Sequence, residues 1–290
     1  MSYGALYDIP KINAQSPNDL CPCDRRQAAA HRKGKAMTSL ADPDASALGF
    51  LGRKPDPLRY GQGDATDPAE APGLMRALVP ANARVLDVGC GAGGLTLAIN
   101  SGKNNTVLCV EPDPERAAVT RGRMLQVVSG CFDEAFTETC GTFDAIVFGD
   151  ILEHLADPAQ VLLLARRCLK PGGVVIVSVP NIAHWTVRVR LLFGRFDYRE
   201  GGIMDATHLR WFTRKTLLAM LAHAGFEASE VAASIGLWMD EYGRMPLTVL
   251  PFRARRALLR VLLRVFPGLM ACQYVVASRV SKANDVQRPG

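Results

Sequence analysis

Short apolar runs recur along the middle of the chain, separated by segments whose apolar residues have the spacing of a helix face. The runs are rich in Val and Ile and are bounded by polar or glycine-rich stretches, which favours strands. Five strands are predicted, at residues 83–89, 106–113, 125–130, 143–150 and 174–181. Four helices are predicted, at residues 71–79, 93–100, 114–124 and 157–170. This alternation indicates an α/β fold with a doubly wound, mostly parallel sheet covered on both faces.

The pattern changes after residue 181. A long connection, residues 181–212, precedes a predicted helix that has Thr213 as its N-cap and Gly225 as its C-cap. Two further strands are predicted at residues 227–235 and 272–280. We therefore expect one domain at residues 69–281, preceded by a disordered or loosely attached extension at 1–68 and followed by a tail at 282–290.

An insertion, residues 236–270, separates the last two predicted strands and contains a basic amphipathic helix at 252–266. Four arginines fall on one stripe of this helix: Arg253, Arg256, Arg260 and Arg264. The apolar residues are expected to cover the domain or a dimer partner. Contact with a membrane surface is the alternative.

Composition limits the classes of protein that the chain can represent. It has 290 residues, of which 48% are hydrophobic, and we find neither a spanning apolar stretch nor a secretory signal. We expect a cytoplasmic protein, or one peripheral to the inner membrane surface. Met37 is an alternative position for the start of translation. Cys21 and Cys23 with His31 could suggest zinc, but the further ligands of such a module are missing. No metal site is predicted.

Charge is unevenly distributed within the net +6. Residues 61–180 carry 9 basic and 14 acidic side chains, whereas residues 181–270 carry 13 basic and 7 acidic ones. The second segment could face an anionic substrate, a membrane or an acidic partner, or its arginines could simply be solvated. No nucleic-acid-binding motif accompanies the charge, so no nucleic-acid partner is expected.

A glycine-rich turn, VLDVGCGAGG at residues 85–94, joins the first strand of the domain to a helix. Its glycines match the G-x-G-x-x-G pattern of dinucleotide sites, because they let a ligand approach the backbone. Asp87 changes this interpretation, since its carboxylate would repel a pyrophosphate and attract an ammonium group. S-adenosylmethionine carries such an ammonium. Glu111 ends the second strand, where a carboxylate can bind both hydroxyls of a ribose, a device common to NAD and S-adenosylmethionine sites.

The D-x-G-x-G-x-G sequence formed by Asp87, Gly89, Gly91 and Gly93 resembles the signature of class I S-adenosylmethionine-dependent methyltransferases. The resemblance continues through VEPD, FDAIVFGDILEHLADP, LKPGGVVIVSVPN and HLRWFTRKTLLAMLAHAGFE and covers residues 85–235. The sequence closely resembles members associated with quinone or methionine pathways and with cell-surface polysaccharide gene clusters. The resemblance implies a Rossmann-like sheet of seven strands in the order 3-2-1-4-5-7-6, with strand 7 antiparallel.

The same resemblance implies which residues bind the cofactor, S-adenosyl-L-methionine. They are Asp87, Gly89, Cys90, Gly91, Gly93, Glu111, Pro112, Cys131, Phe132 and Asp150. Cys131 departs from the family, which commonly places an Asp there to meet the adenine amino group. Either Asp133 or backbone atoms could replace that contact.

Candidates for binding the methyl acceptor follow the fourth and fifth strands, where ligands usually bind in such sheets. They are His154, His184, Asp205, His208 and Arg210. A histidine has a suitable pKa for a general base, and an arginine can bind an anionic group. Structural roles are the alternative: His154 with Glu153 could fix a turn, and the last three residues could tie the long connection to the sheet.

The leading hypothesis is methyl transfer to a hydroxyl group, and transfer to a carbon is less favoured. The acceptor would be a small molecule, a glycan or a lipid-linked molecule. In one version of this hypothesis the acceptor is anionic. A non-catalytic cofactor-binding or regulatory subunit is the alternative, and an NAD-dependent oxidoreductase is a third. The sequence does not predict the oligomeric state.

Overall fold

The computed structural model describes residues 67–243 and 249–281. Cys21, Cys23, His31, Met37, the predicted extension up to residue 66 and the tail at 282–290 lie outside the described residues. The domain boundaries therefore stay predictions.

Seven strands are present in the described part of the chain. They are β1 (Arg84–Val88), β2 (Thr106–Glu111), β3 (Gln126–Ser129), β4 (Phe143–Gly149), β5 (Leu169–Pro180), β6 (Phe226–Ala233) and β7 (Gln273–Val280). They form one sheet in the order β3-β2-β1-β4-β5-β7-β6. The first five strands run parallel, and β7 runs antiparallel to both β5 and β6. The predicted fold class and strand order are confirmed.

The described helices are α1 (Ala71–Leu78), α2 (Gly94–Asn100), α3 (Pro114–Gly122), α4 (Glu134–Thr139), α5 (Pro158–Arg167), α6 (Trp185–Leu192), α7 (Arg214–His223), α8 (Phe252–Val265) and α9 (Pro267–Met270). Short 3-10 helices occur at Leu152–His154 and Asp240–Gly243. None of the described helices is long and apolar enough to cross a membrane.

Both faces of the sheet are buried, as the near-continuous apolar strands require. Neighbouring residues of a strand point to opposite faces. Leu86 and Ile146 belong to one core cluster, whereas Val85 and Val147 belong to the other. This double burial fixes the register of the central strands and holds their carboxyl ends at one edge of the sheet.

The boundary between α5 and β5 differs from the prediction, which placed the helix up to residue 170 and the strand from 174. The helix ends at Arg167, and β5 already begins at Leu169, which pairs with Phe143. The register shifts between Phe143 and Ala145, which allows the Pro171-Gly172-Gly173 segment to remain within the strand.

At α7 the expected N-cap, Thr213, is confirmed, whereas the C-cap is Ala224 and the expected residue, Gly225, follows one position later. The Thr213 side chain accepts from the backbone N–H of Thr216, whose own side chain accepts from the Thr213 N–H. Gly225 follows the last helical turn with a φ of 84°. Helices α4 and α6 were not predicted, because each spans only about two turns and carries little amphipathic pattern.

Most apolar residues of helix α8 do not cover the described part of the domain, and the expectation that they cover a dimer partner stays a prediction. Of the apolar residues of this helix only Leu259 is buried, and it packs with Leu263 in a third apolar cluster. The predicted arginine stripe is divided, because Arg256 turns towards the domain and pairs with Asp67, whereas the other three arginines are exposed. Most of this helix therefore presents apolar and cationic side chains outward.

Candidate active site

The turn between β1 and α2 depends on three glycines with left-handed backbones. Gly89, Gly91 and Gly93 have φ values of 72°, 58° and 78°, which cost other residues about 1–2 kcal/mol each. A Cβ on Gly89 would lie 2.6 Å from the Ile151 side chain. A Cβ on Gly91 would have no atom within 4 Å. Gly91 therefore forms the open side of the turn, where a ligand can approach the backbone.

Glu111 holds this turn against the end of β2. One carboxylate oxygen accepts from the backbone N–H of Gly91 at 2.8 Å, and the other accepts from that of Asp113 at 3.0 Å. Thr120 donates to the carbonyl of Gly91 at 2.8 Å. Each carboxylate oxygen of Glu111 has a second lone pair, so the predicted bonds from a ribose are compatible with this role. Pro112, which follows, is exposed.

Asp87 is buried below the turn, where the Thr96 hydroxyl donates to it at 2.6 Å. Burial raises the pKa of Asp87 to about 7, and the charge of Glu111 adds to this effect. A cation close to Asp87 would favour its ionised form, as the predicted ammonium contact requires. Cys90 lies buried within the turn and contacts Thr120.

The segment after β3 supplies the residues predicted to lie near the adenine. Cys131 and Phe132 are half-buried, and the Phe132 ring packs edge-on against Phe148 at a centroid distance of 6.3 Å. The Asp133 carboxylate caps α4, because it accepts from the backbone N–H of Phe136 at 2.9 Å. Asp133 thus has a structural task, which weakens its predicted role as a substitute at the adenine.

Asp150 joins the ends of three strands. It follows β4 with a φ of 52°, a left-handed backbone that is uncommon outside glycine. One carboxylate oxygen accepts from the hydroxyl of Ser178 at 2.7 Å and from the side-chain amide of Gln273 at 2.9 Å. Burial raises the pKa of this carboxyl group. Ser178 and Gln273 were not identified from the sequence, since Gln273 lies 123 positions from Asp150.

His154, Thr207 and Asp205 form a connected series of hydrogen-bonding groups. His154 Nδ1 lies 3.2 Å from both the carbonyl and the hydroxyl oxygen of Thr207, and that hydroxyl donates to Asp205 at 2.6 Å. A carbonyl oxygen only accepts, so Nδ1 carries the proton and Nε2 has the lone pair. The sequence predicted Asp205 and His154 as separate candidates for the acceptor site, and the structure connects them through Thr207.

Three potential metal ligands meet beside this series. Ligand atoms of Glu153, His154 and His208 all lie within 4.8 Å of one another. Glu153 is 1% exposed, and neither carboxylate oxygen has a hydrogen-bond partner among the described residues. One carboxylate and two imidazoles suit a divalent transition metal. The absence of a metal site stays a prediction; the sequence does not reveal this group, because His208 joins the other two only in the fold.

Two predicted acceptor residues have surroundings that do not suit their proposed roles. His184 is fully buried; its Nδ1 lies 2.9 Å from the Thr186 hydroxyl and its Nε2 3.0 Å from that of Tyr242. Burial lowers the pKa of His184 to about 4. Arg210 is exposed and donates to the carbonyl of Ala156 at 2.5 Å. These contacts favour structural roles for both residues, and their assignment to the acceptor site stays a prediction.

A cleft of about 190 Å³ lies between α6, the long connection and the segment before α8. The carboxylate of Glu241 lies 2.7 Å from Arg190 and 3.6 Å from Arg199, so the cationic charge on the cleft wall exceeds the anionic charge. Trp238, which is 57% exposed, also lines it. Sequence analysis found the excess of arginine in this segment but not the cleft.

A family model described as "Methyltransferase domain" matches residues 65–231, more than half of the chain. The chain belongs to this methyltransferase family. The predicted membership of the class I S-adenosylmethionine-dependent methyltransferases is therefore confirmed, and with it S-adenosylmethionine as cofactor and the enzyme class. The NAD-dependent alternative is excluded.

Among curated relatives, the ubiquinone biosynthesis O-methyltransferase of Xanthomonas axonopodis pv. citri (strain 306) is 34% identical over 125 residues, which are 40% of this chain and 51% of that protein. The protein of the same name from Xylella fastidiosa (strain 9a5c) is 29% identical over 175 residues, covering 58% of this chain and 70% of that one. The chain thus spans about half the length of the first relative.

Solved structures share the fold. A chain of the complex that contains the Haloferax volcanii Trm112 methyltransferase activator is 18% identical, with a TM-score of 0.50 and coverage of 82% of this chain and 95% of that one. This likeness concerns the fold alone.

Two single substitutions in the turn distinguish its role in folding from its role in cofactor binding. We expect Gly89→Ala to lower the free energy of unfolding by more than ~2 kcal/mol, through backbone strain and contact with Ile151. Gly91→Ala, the matched variant, should lose only about 1–2 kcal/mol from strain and yet bind S-adenosylmethionine poorly. Urea unfolding and calorimetric titration measure the two effects. Wild-type affinity in Gly91→Ala would contradict this use of the turn.

The raised pKa of Asp87 predicts how stability depends on pH in the ligand-free protein. Between its ordinary value of 3.8 and about 7 the folded state holds a proton that the unfolded state has lost. The free energy of unfolding therefore falls as pH rises through this range, by up to about 1.4 kcal/mol per pH unit. Asp87→Asn should reduce that slope in urea unfolding. Asp144→Asn is the control, because Lys170 lowers the pKa of Asp144; equal slopes in wild type and Asp87→Asn would refute the assignment.

Proposed function

We propose that this protein transfers a methyl group from S-adenosylmethionine to a hydroxyl oxygen of a small-molecule acceptor. The observation that carries the proposal is the orientation of His154, which follows β4 at the edge of the sheet where ligands bind in this fold class. Asp87 would bind the cofactor ammonium, Glu111 its ribose, and Gly91 would allow the close approach. When bound, the cofactor supplies a methyl group activated by a positive sulfur.

His154 has the features that a general base needs. Its proton on Nδ1 is held by Thr207, which Asp205 orients in turn, so the lone pair of Nε2 can accept the proton of an acceptor hydroxyl. Asp205 is 1% exposed and acts as a positioning residue through Thr207. Oxygen is favoured over carbon as the acceptor atom, because hydroxyl methylation makes direct use of such a base. The curated relatives are also named O-methyltransferases.

The acceptor class is inferred from the cleft beside α6. Glu241 contacts Arg190 at 2.7 Å and Arg199 at 3.6 Å, so one carboxylate faces two guanidinium groups and a carboxylate or phosphate of the acceptor can balance the second. The Trp238 ring offers a surface for a flat apolar body. A small aromatic acceptor with an anionic group fits these side chains better than a neutral glycan. The names of the relatives, which refer to ubiquinone biosynthesis, agree with a ring-bearing acceptor.

Two other predictions are separate from this reaction. If the acceptor is lipid-linked, a lipid group is attached to the small molecule and the hydroxyl that receives the methyl group is unchanged. Contact with a membrane through residues 252–266 concerns α8, which does not contribute His154, Thr207 or Asp205. The non-catalytic alternative predicts cofactor binding without transfer.

Labelled cofactor tests the proposal directly. The protein is incubated with methyl-labelled S-adenosylmethionine and three acceptor sets: phenols with an anionic group, sugar nucleotides and extracted lipids. We expect label on a phenolic oxygen. His154→Gln should lower kcat by about 10²–10⁴-fold and remove the acidic limb of the pH profile, with unchanged cofactor affinity.

His223→Gln, at an exposed position on α7, is the matched control and should retain wild-type activity. The assay is repeated with a chelator, because Glu153, His154 and His208 could hold a divalent cation. Activity lost with chelator and restored by metal would make His154 a ligand instead of a base. Cofactor binding without transfer to any acceptor set would favour the non-catalytic alternative.

A further inference from the structure

Helix α8 presents an apolar stripe away from the domain. Leu258, Val261 and Val265 recur at helical spacing and are 40%, 55% and 59% exposed. We call these three residues the α8 outer stripe. Leu259, on the opposite side, is 2% exposed and anchors the helix to the domain.

A row of arginines runs along one side of the α8 outer stripe. Arg253, Arg260 and Arg264 are exposed and follow helical spacing, and none of them forms an ion pair within the described part of the chain. The other two arginines of the helix turn towards the domain, where Arg255 donates to the Tyr242 carbonyl at 2.9 Å and Arg256 pairs with Asp67. The helix therefore presents three cations outward.

The segment contains no compensating negative charge. No Asp or Glu occurs in the sequence from residue 242 to residue 284. A second copy docking through the same stripe would bring the two arginine rows close together without a carboxylate between them, which is unfavourable. The partner of this surface must be apolar at its centre and anionic beside it.

We propose that the α8 outer stripe docks this protein on a membrane surface that contains anionic lipids. The Leu258, Val261 and Val265 side chains enter the boundary between headgroups and acyl chains, and the three arginines bind lipid phosphates. Residues of the methyl-transfer site are not involved, so this docking holds whether or not the proposed reaction is correct. It gives the enzyme access to acceptors that partition into the membrane.

Sedimentation of the full chain with vesicles tests the docking. Vesicles of phosphatidylcholine alone are compared with vesicles that also contain phosphatidylglycerol, at low and high salt. We expect binding to the mixed vesicles, weakened by salt. Val261→Asp/Val265→Asp should abolish it, while Met124→Asp, at a position 92% exposed outside α8, keeps it. Circular dichroism checks that each variant is folded.

A second variant tests the arginines without changing the apolar stripe. Arg253→Gln/Arg260→Gln/Arg264→Gln should lower partitioning into the mixed vesicles by about fivefold per arginine, the effect of ~1 kcal/mol for each basic residue near an anionic surface. Equal binding to both kinds of vesicle, or unchanged binding by the aspartate variant, would overturn the proposal. The proposal would also be overturned if the wild type forms a dimer that does not bind vesicles and that the aspartate substitutions dissociate, since a second copy would then cover the stripe.

Discussion

The hydrogen bond from the Gly91 N–H to the Glu111 carboxylate connects the first two strands of the domain at the point where we propose that the cofactor binds. Because β1 and β2 pair in parallel, their carboxyl ends lie side by side, and the second Glu111 oxygen also fixes the start of α3 through Asp113. The Gly89 N–H donates to the Val110 carbonyl at 2.8 Å, so the turn is joined to β2 at a second point. The proposed ribose contact uses the same carboxylate, so turn geometry and ligand recognition depend on one side chain.

Burial around this bond has an electrostatic consequence. Asp87 lies below the turn with its pKa raised to about 7, and burial also raises the pKa of Glu111. Two buried carboxylates close together favour protonation when no cation is present. A ligand with an ammonium group close to Asp87 would restore its charge, and this supports the proposal that Asp87 binds S-adenosylmethionine.

Periodicity predicted the parallel sheet, because its signals are local. The apolar run from Val85 to Val88 indicates a buried strand, and Thr213 indicates the start of a helix, without reference to the rest of the chain. The resemblance to a family supplied the strand order, which local signals lack. Contacts between distant positions could not be predicted: the Thr207 partner of His154 is 53 positions away, and Gln273 on β7, which reaches past β5 to Asp150, is 123 positions away. The outward face of α8 was also missed, because amphipathicity shows that a helix has an apolar side and not what covers it.

The central claim is that Asp87 and Glu111 together bind S-adenosylmethionine. Calorimetric titration of the wild type, Asp87→Asn and Glu111→Gln with S-adenosylhomocysteine, which keeps the ammonium and the ribose, tests it most directly. The account predicts binding by the wild type and an affinity at least about tenfold lower, or ~1.4 kcal/mol, in each folded variant. Wild-type affinity in both variants, or no binding by the wild type, would contradict it.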